Sequence, residues 1–234
     1  MTSVYGTGER LLEQLALNED LSISQLAKAS GLSYPTALYS ASSLPCLEFE
    51  KTGRERRVRI KDNQVDAVYP FLIMLQTNKA KRTLLMMAYL SRKGFKDALV
   101  GGELALETQF LVKDSDPDPQ IEIRAGDQDR FADFVHGMPN KGAVSELHQN
   151  VIVEDSNIRP ANTMGLVKVS KPEKLLTDAI AEKRSRIFVE NILETITSSH
   201  YQMDLVLLNA YAQSRGVLDE VLHELEAMKG YGFP

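Results

Sequence analysis

The stretch from Leu21 to Ile60 constrains the fold most, because four local signals follow one another within it. Apolar residues at helical spacing predict a helix at its start, and Gly31 then supplies the permissive backbone of a tight turn. Ser33 is suited to cap a second helix by accepting a backbone N–H. Residues 47–60 alternate apolar and polar on either side of Gly53, which predicts a hairpin. The expected order is therefore helix, turn, helix and hairpin.

This order is typical of the winged helix-turn-helix, in which the second helix lies in the major groove of DNA. We therefore predict a DNA-binding domain over residues 1–63. The side chains predicted to face the core from the second helix are Leu38, Ala41 and Leu44. Those predicted to face outward, toward base edges or nearby phosphates, are Ser33, Tyr34, Thr36, Tyr39 and Ser40. The hairpin adds candidates for contact with the phosphate backbone or the minor groove, namely Lys51, Arg54, Arg56 and Arg57.

The distribution of charge along the chain supports this prediction, although the formal net charge of −5 argues against a nucleic-acid partner. Residues 1–63 carry equal numbers of basic and acidic side chains, with the basic ones clustered in the hairpin. Residues 67–96 carry basic side chains and no acidic one, and the acidic excess follows them. A chain whose basic residues cluster before residue 97 and whose acidic excess follows is typical of a DNA-binding module fused to a part that does not contact DNA.

The composition points to a cytoplasmic protein without membrane contact. No apolar run is long enough to span a bilayer, and no basic-then-apolar leader opens the sequence. The single cysteine, Cys46, allows neither an internal disulfide nor a thiolate metal cluster. The four histidines do not stand at metal-ligand spacing, so we expect no metal and no cofactor.

The second half of the chain predicts mixed helices and strands, with a glycine turn at Gly101-Gly102. This turn, with acidic residues and a strand soon after it, resembles the nucleotidyltransferase fold. In that fold a glycine turn opens a helix over nucleotide phosphates, and two carboxylates at alternate strand positions hold metal. Asp116 and Asp118 have that spacing, but the proline between them is unsuited to a strand interior. The more regular strand, 120–123, offers one acid, so we expect no catalytic residues.

The run from Leu166 to Ala179, LVKVSKPEKLLTDA, predicts a strand that leads into a leucine-rich helix containing an aspartate. Together with the winged module, it resembles AbiEi-type antitoxins and related prokaryotic, often archaeal, transcriptional regulators. The resemblance implies a winged helix-turn-helix joined to a catalytically degenerate nucleotidyltransferase-like domain. It also implies operator binding or autoregulation, and a toxin protein as partner.

Taken together, the sequence predicts an α+β protein in three parts. A winged helix-turn-helix over residues 1–63 is followed by a connecting helical segment over 64–96 and a nucleotidyltransferase-like α/β domain over 97–234 that ends in helices. The predicted function is sequence-specific regulation of transcription on double-stranded DNA. We expect a homodimer that uses the second domain or the helix around Leu84 as its interface, because such modules commonly read paired half-sites.

Two alternatives stay open. In the first, the protein is a metal-dependent nucleotidyltransferase with a DNA-binding module, using Gly101, Gly102, Asp116 and Asp118. In the second, the winged fold serves only for protein contact.

Overall fold

A computed structural model describes residues 6–53, 55–110, 120–138, 151–154 and 158–229. The helices are α1 (Thr7–Leu17), α2 (Ile23–Ser30), α3 (Tyr34–Ser42), α4 (Val65–Leu75), α5 (Lys79–Arg92), α6 (Gly102–Phe110), α7 (Gln128–His136), α8 (Pro172–Ala181), α9 (Arg186–Ser198), α10 (Leu205–Arg215) and α11 (Leu218–Lys229). The strands are β1 (Leu21–Ser22), β2 (Leu47–Thr52), β3 (Glu55–Ile60), β4 (Leu99–Gly101), β5 (Gln120–Arg124), β6 (Val151–Glu154), β7 (Ala161–Met164) and β8 (Val167–Ser170). The fold is mixed α and β, with two small sheets.

The chain divides into two compact units, and their boundaries differ from the expected ones. Unit 1 contains Met1–Ala98, Gly126–Gln149 and Met164–Val167, and unit 2 contains Leu99–Ala125, Asn150–Thr163 and Lys168–Pro234. Three predicted residues, Arg54, Asp116 and Asp118, lie outside the described residues. Within the described ranges, no helix is long and apolar enough to cross a membrane.

Local signals account for the helices and the turn of residues 21–43. Ser22 begins α2 with a capping box, in which its hydroxyl accepts the N–H of Gln25 at 3.2 Å and the Gln25 side chain accepts the N–H of Ser22 at 2.9 Å. Gly31 ends α2 with a left-handed backbone at φ 66°. Ser33 then caps α3 by accepting the N–H of Thr36 at 3.3 Å, with Pro35 in the first turn.

The first sheet has the strand order β1-β3-β2, with both strand pairs antiparallel. Its hairpin β2–β3 turns through Gly53, whose φ of 64° suits a two-residue loop. The buried side chains Leu47, Val58 and Ile60 lie on one face of the hairpin. Helices α1 and α2 pack against β3, so this face closes the core of the N-terminal module.

The segment 64–96, expected as a connector, is instead part of the core of unit 1. The Tyr69 hydroxyl of α4 donates to the Ala16 carbonyl of α1 at 2.8 Å, and the Tyr69 ring stacks on that of Tyr89 with centroids 5.2 Å apart. Helix α7 adds Phe134 beside Tyr89, with centroids 5.1 Å apart. Helix α5 is buried from Leu85 to Leu90, so it is core rather than the dimer interface expected around Leu84.

Unit 2 is built on the five-stranded sheet, with the strand order β6-β5-β4-β8-β7. Strand β4 runs antiparallel to β5 and parallel to β8, and β5 runs parallel to β6. Helix α8 follows β8 directly and packs against α9, α10 and α11. The strand and helix expected over residues 166–179 are therefore present as β8 and α8.

Candidate nucleic-acid interface

Helix α3 packs on the rest of its module through two alanines rather than through leucines. Ala37 and Ala41 are completely buried, and α3 contacts both α1 and α2. The prediction that Leu38 and Leu44 face the core is wrong in degree, because both are only half-buried. The small alanine side chains bring α3 close to its neighbours, which leaves the longer leucines at the edge of the contact.

The opposite face of α3 is open to solvent. Its exposed residues, with the capping serine, are Ser33, Tyr34, Pro35, Thr36, Tyr39, Ser42 and Ser43, while Ser40 is half-buried. Tyr34 is 48% exposed and Tyr39 is 78% exposed. Two exposed aromatic rings on one helix offer apolar contact area to a partner, with a hydroxyl at the end of each ring. All five predicted base-reading positions thus lie on α3 or its capping residue, and four of them are exposed.

Several hydroxyl groups on this face are already used within the helix. The hydroxyls of Ser33 and Thr36 are hydrogen-bonded to each other at 2.7 Å. The Ser43 hydroxyl donates to the Tyr39 carbonyl at 3.0 Å. These bonds stabilise the ends of α3, so they reduce what the same hydroxyls can offer to a partner.

The β2–β3 hairpin has an inner face that begins in the core and ends in a basic tip. Its cross-strand pairs are Leu47 with Ile60, Phe49 with Val58 and Lys51 with Arg56. Lys51 and Arg56 are exposed, and the Arg56 guanidinium lies 4.4 Å from the centre of the Phe49 ring. This cation–π contact holds the guanidinium over a side chain that the sequence analysis did not single out. Counting the strand pairs outward from Gly53 would have revealed it.

The outer face of the hairpin carries its basic residues as ion pairs. Arg57 pairs with Asp20 through two hydrogen bonds, of which Nη2 to Oδ1 spans 3.0 Å. The hydrogen bond to Asp20 is the main reason that the pKa of Arg57 is raised. Arg59 pairs with Glu48, its cross-strand neighbour, at 2.5 Å. Arg57 was predicted to act with Lys51 and Arg56, but strand alternation turns it to the other face and Asp20 neutralises it.

Cross-strand neighbours carry opposite charges at the base of the hairpin and like charges at its tip. At the base, Glu48 lies opposite Arg59 and Glu50 opposite Arg57, which are favourable pairings. At the tip, Lys51 lies opposite Arg56, and like charges in direct cross-strand positions are destabilising. Local choices that work against the fold are expected mainly at functional positions. The arrangement is suited to bind an anion between the two cations.

Three of the six basic residues in the second basic stretch, over residues 67–96, are held in ion pairs. Lys81 pairs with Glu13 at 2.9 Å, and Arg92 pairs with Asp62 at 2.5 Å. Lys93 pairs with Asp66 at 2.5 Å. The acidic partners come from α1 and from residues 62–66, outside the stretch itself. These three basic side chains therefore form ion pairs within unit 1, which reduces the positive charge that the stretch can present to DNA.

In unit 2 the glycine turn is packed closely against side chains of β5, the strand that pairs with β4. A Cβ atom at Gly101 would lie 2.5 Å from Oε1 of Glu122, and one at Gly102 would lie 2.9 Å from Oε1 of Gln120. Gly102 also has a φ of 62°, which disfavours any other residue. The positive φ of Gly102 and the close approach of two β5 side chains therefore offer a structural reason for the glycines that does not need a nucleotide phosphate.

The acidic residue on β5 lies in a buried charged cluster. Glu122 is 3% exposed and accepts from Lys174 at 2.9 Å, and Lys174 is 1% exposed. The Lys174 ammonium also contacts Asp178 and lies 3.0 Å from the Tyr211 hydroxyl. Burial raises the pKa of Asp178, and Lys174 opposes that shift. Among the residues that the structure describes, no group of three His, Cys, Asp or Glu side chains is placed to hold a metal ion.

The chain matches no protein-family model, no curated protein and no solved structure. The resemblance to AbiEi-type regulators therefore stays a hypothesis that depends on residues 166–179 and on the N-terminal module. The function has to be inferred from the geometry of the described residues.

Proposed function

We propose that the protein is a sequence-specific regulator of transcription that binds double-stranded DNA through its N-terminal module. The order α1-β1-α2-α3-β2-β3, with the sheet order β1-β3-β2, supports a winged helix-turn-helix. In this proposal α3 enters the major groove, and the β2–β3 hairpin contacts the adjacent sugar-phosphate backbone. Unit 2 is proposed to be nucleotidyltransferase-like in fold.

The observation that carries the proposal is the like-charged pair Lys51–Arg56 at the hairpin tip. A solvated face would gain from an acid at either position, as the base of the same hairpin shows. Phosphate groups would convert the repulsion into an attraction, and each neutralised phosphate contributes about 0.9 to the salt slope of binding. Arg54, between them in sequence, is proposed to act with them, whereas Arg57 is assigned to the internal pair with Asp20.

The test compares two neighbouring arginines that lie on opposite faces of the same strand. Binding to labelled fragments of the source genome is measured by gel shift between about 50 and 200 mM salt. Arg56→Ala should reduce the salt slope by about 0.9, which makes the affinity loss across this range about 3.5-fold smaller. Arg57→Ala removes the same charge and should leave the slope unchanged while it lowers the stability of the fold.

Two results would contradict the proposal. The native protein could retain no DNA above background at low salt, which would favour the alternative that the winged fold serves for protein contact. Equal changes of slope for Arg56→Ala and Arg57→Ala would show that the hairpin tip has no special role.

We propose no catalytic role for unit 2. The support is the pairing of Glu122 with the buried Lys174 ammonium, since a carboxylate held by a fixed cation is not available to a metal ion. The packing role of Gly101 and Gly102 points the same way. An antitoxin-like role, with a toxin as partner, rests on the resemblance of residues 166–179 and the N-terminal module.

We also propose a homodimer, with the exposed face of α4 as its interface. Ala67, Phe71 and Met74 lie at helical spacing on this face, and Met74 is 60% exposed. The one charged residue of α4, Asp66, is held by Lys93 and by the Tyr89 hydroxyl. A two-fold contact sets each residue near its own copy, so an uncharged face is compatible with itself.

A further inference from the structure

The exposed face of α3 lacks the side chains that usually distinguish bases by hydrogen bonding. Residues 33–43, SYPTALYSASS, contain no Arg, Lys, Asn, Gln, Asp or Glu. Arginine and lysine read guanine, asparagine and glutamine read adenine, and carboxylates read cytosine in the major groove. If α3 enters the groove, it must obtain its specificity in another way.

The hydroxyl groups of this face can only partly replace such base-reading side chains, because several of them already form hydrogen bonds within the helix. Ser33 and Thr36 bond each other at 2.7 Å, and Ser43 donates to the Tyr39 carbonyl. The Thr36 hydroxyl is partly engaged by this bond, and the same exposed side chain carries a methyl group. The largest groups that project into solvent are then the rings of Tyr34 and Tyr39. The two tyrosine rings therefore make the largest apolar contribution to a face whose other groups are mainly hydroxyls.

We infer that α3 reads thymine, through apolar contact of the Tyr39 ring and the Thr36 methyl group with the thymine 5-methyl group. That methyl is the one apolar group that a standard base presents in the major groove, and apolar side chains are its usual partners. Each methyl group buried in this way should improve affinity about fourfold. The inference rests on the proposed DNA binding and adds that the preferred sites are rich in thymine.

The test removes the methyl group from the DNA and leaves everything else in place. Affinities are measured by fluorescence anisotropy for alternating d(A-T) and d(A-U) duplexes of about two helical turns. Uracil keeps the hydrogen-bonding groups of thymine in both grooves. The native protein should bind the d(A-T) duplex more tightly by about fourfold for each methyl contacted. Alternating d(I-C), which resembles d(A-T) only in the minor groove, should bind as weakly as d(A-U) or more weakly.

Two variants at one position connect the effect to the side chain. Tyr39→Ser should lose most of the discrimination between d(A-T) and d(A-U) and keep the salt slope, since Arg56 and Lys51 are unchanged. Tyr39→Phe keeps the ring and should keep the discrimination. Neither variant should disturb the fold, because the side chain is 78% exposed.

The outcomes separate this inference from the proposed function. Equal affinity of the native protein for d(A-T) and d(A-U) overturns thymine reading and leaves DNA binding in place. A preference for d(A-T) that Tyr39→Ser retains in full overturns the role of Tyr39. If the native protein binds neither these duplexes nor genomic fragments at low salt, both thymine reading and the proposed DNA binding are overturned. If it binds genomic fragments but not the d(A-T) duplex, thymine reading alone is overturned.

Discussion

The ammonium group of Lys174 lies 2.9 Å from a carboxylate oxygen of Glu122, and both side chains are buried in unit 2. The same ammonium contacts Asp178, so one cation serves two acids on different elements, β5 and α8. A buried ion pair contributes little net stability in itself. Removal of one partner is nevertheless costly, because the other charge stays buried with less compensation. We therefore expect that removing one charge of this cluster destabilises the protein more than removing both members of a pair.

We expect Lys174→Met to lower the free energy of unfolding by about 3 kcal/mol, the lower end of the range for a broken buried pair. Glu122 and Asp178 lose their nearest cation but keep Arg159 at 3.8 Å and Arg215 at 3.3 Å, respectively. Urea denaturation followed by circular dichroism measures the change. Lys28→Met, on the exposed side of α2, is the matched control and should change the value by less than about 0.5 kcal/mol.

The double variant Lys174→Met with Glu122→Gln tests whether the two residues act as a pair. It should lose clearly less stability than the sum of the single changes, because residues in contact are coupled. Additive losses would contradict the direct interaction between Lys174 and Glu122.

A second prediction concerns pH and the pair of Asp66 with Lys93. The hydrogen bond from Lys93 lowers the pKa of Asp66 below its ordinary value of 3.8, against an opposing effect of burial. A carboxyl group whose pKa is lower in the folded state contributes stability above its unfolded pKa and loses it as the pH falls through the folded pKa. Asp66→Asn should therefore be less stable than the native protein at neutral pH, by at most about 1 kcal/mol because the pair is partly exposed.

Thermal unfolding measured at neutral pH and again well below 3.8 checks the sign of this effect. The difference in stability between the native protein and Asp66→Asn should shrink as the pH falls, because the native aspartate becomes protonated and is then neutral, like asparagine. A difference that stays constant over this range would show that the ion pair is not its cause.

Backbone conformation at the turn between α2 and α3 gives a third prediction. Gly31 has a φ of 66° and no atom within 4 Å of a hypothetical Cβ, so Gly31→Ala meets strain but no steric clash. We expect a loss of about 1 kcal/mol from the left-handed backbone alone. Gly126 also has open space but no positive φ, so Gly126→Ala should be neutral or slightly stabilising. Equal effects of both changes in urea denaturation would refute the conformational explanation.

What the sequence predicted well in unit 1 was encoded locally. The cap at Ser33, the glycine at position 31 and the alternation around Gly53 each depend on residues a few positions apart, and the structure contains all three features. Contacts between residues far apart in the sequence were harder to predict. The pairing of Arg57 with Asp20 joins residues 37 positions apart, and no local pattern predicts which acid a given arginine will meet.

The same limit explains why two features outside the hairpin were ambiguous in the sequence. The run of basic residues over 67–96 looked like a surface because its acidic partners, such as Glu13, lie far away in the sequence. Gly101 and Gly102 matched a phosphate-binding turn because close packing against a strand and close approach to a phosphate need the same missing side chain. Their actual neighbours, Gln120 and Glu122, become apparent only when β4 and β5 are paired.

The last prediction concerns self-association through α4. Met74→Glu should shift the protein toward a monomer, because a two-fold contact would bring the two introduced carboxylates close together. Sedimentation velocity over a range of concentrations, with and without DNA, measures the change. Ile187→Glu introduces the same charge at an apolar residue that is 69% exposed in unit 2, and should leave the association unchanged. A native protein that sediments as a monomer both free and on DNA would refute the dimer, while equal disruption by both variants would move the interface away from α4.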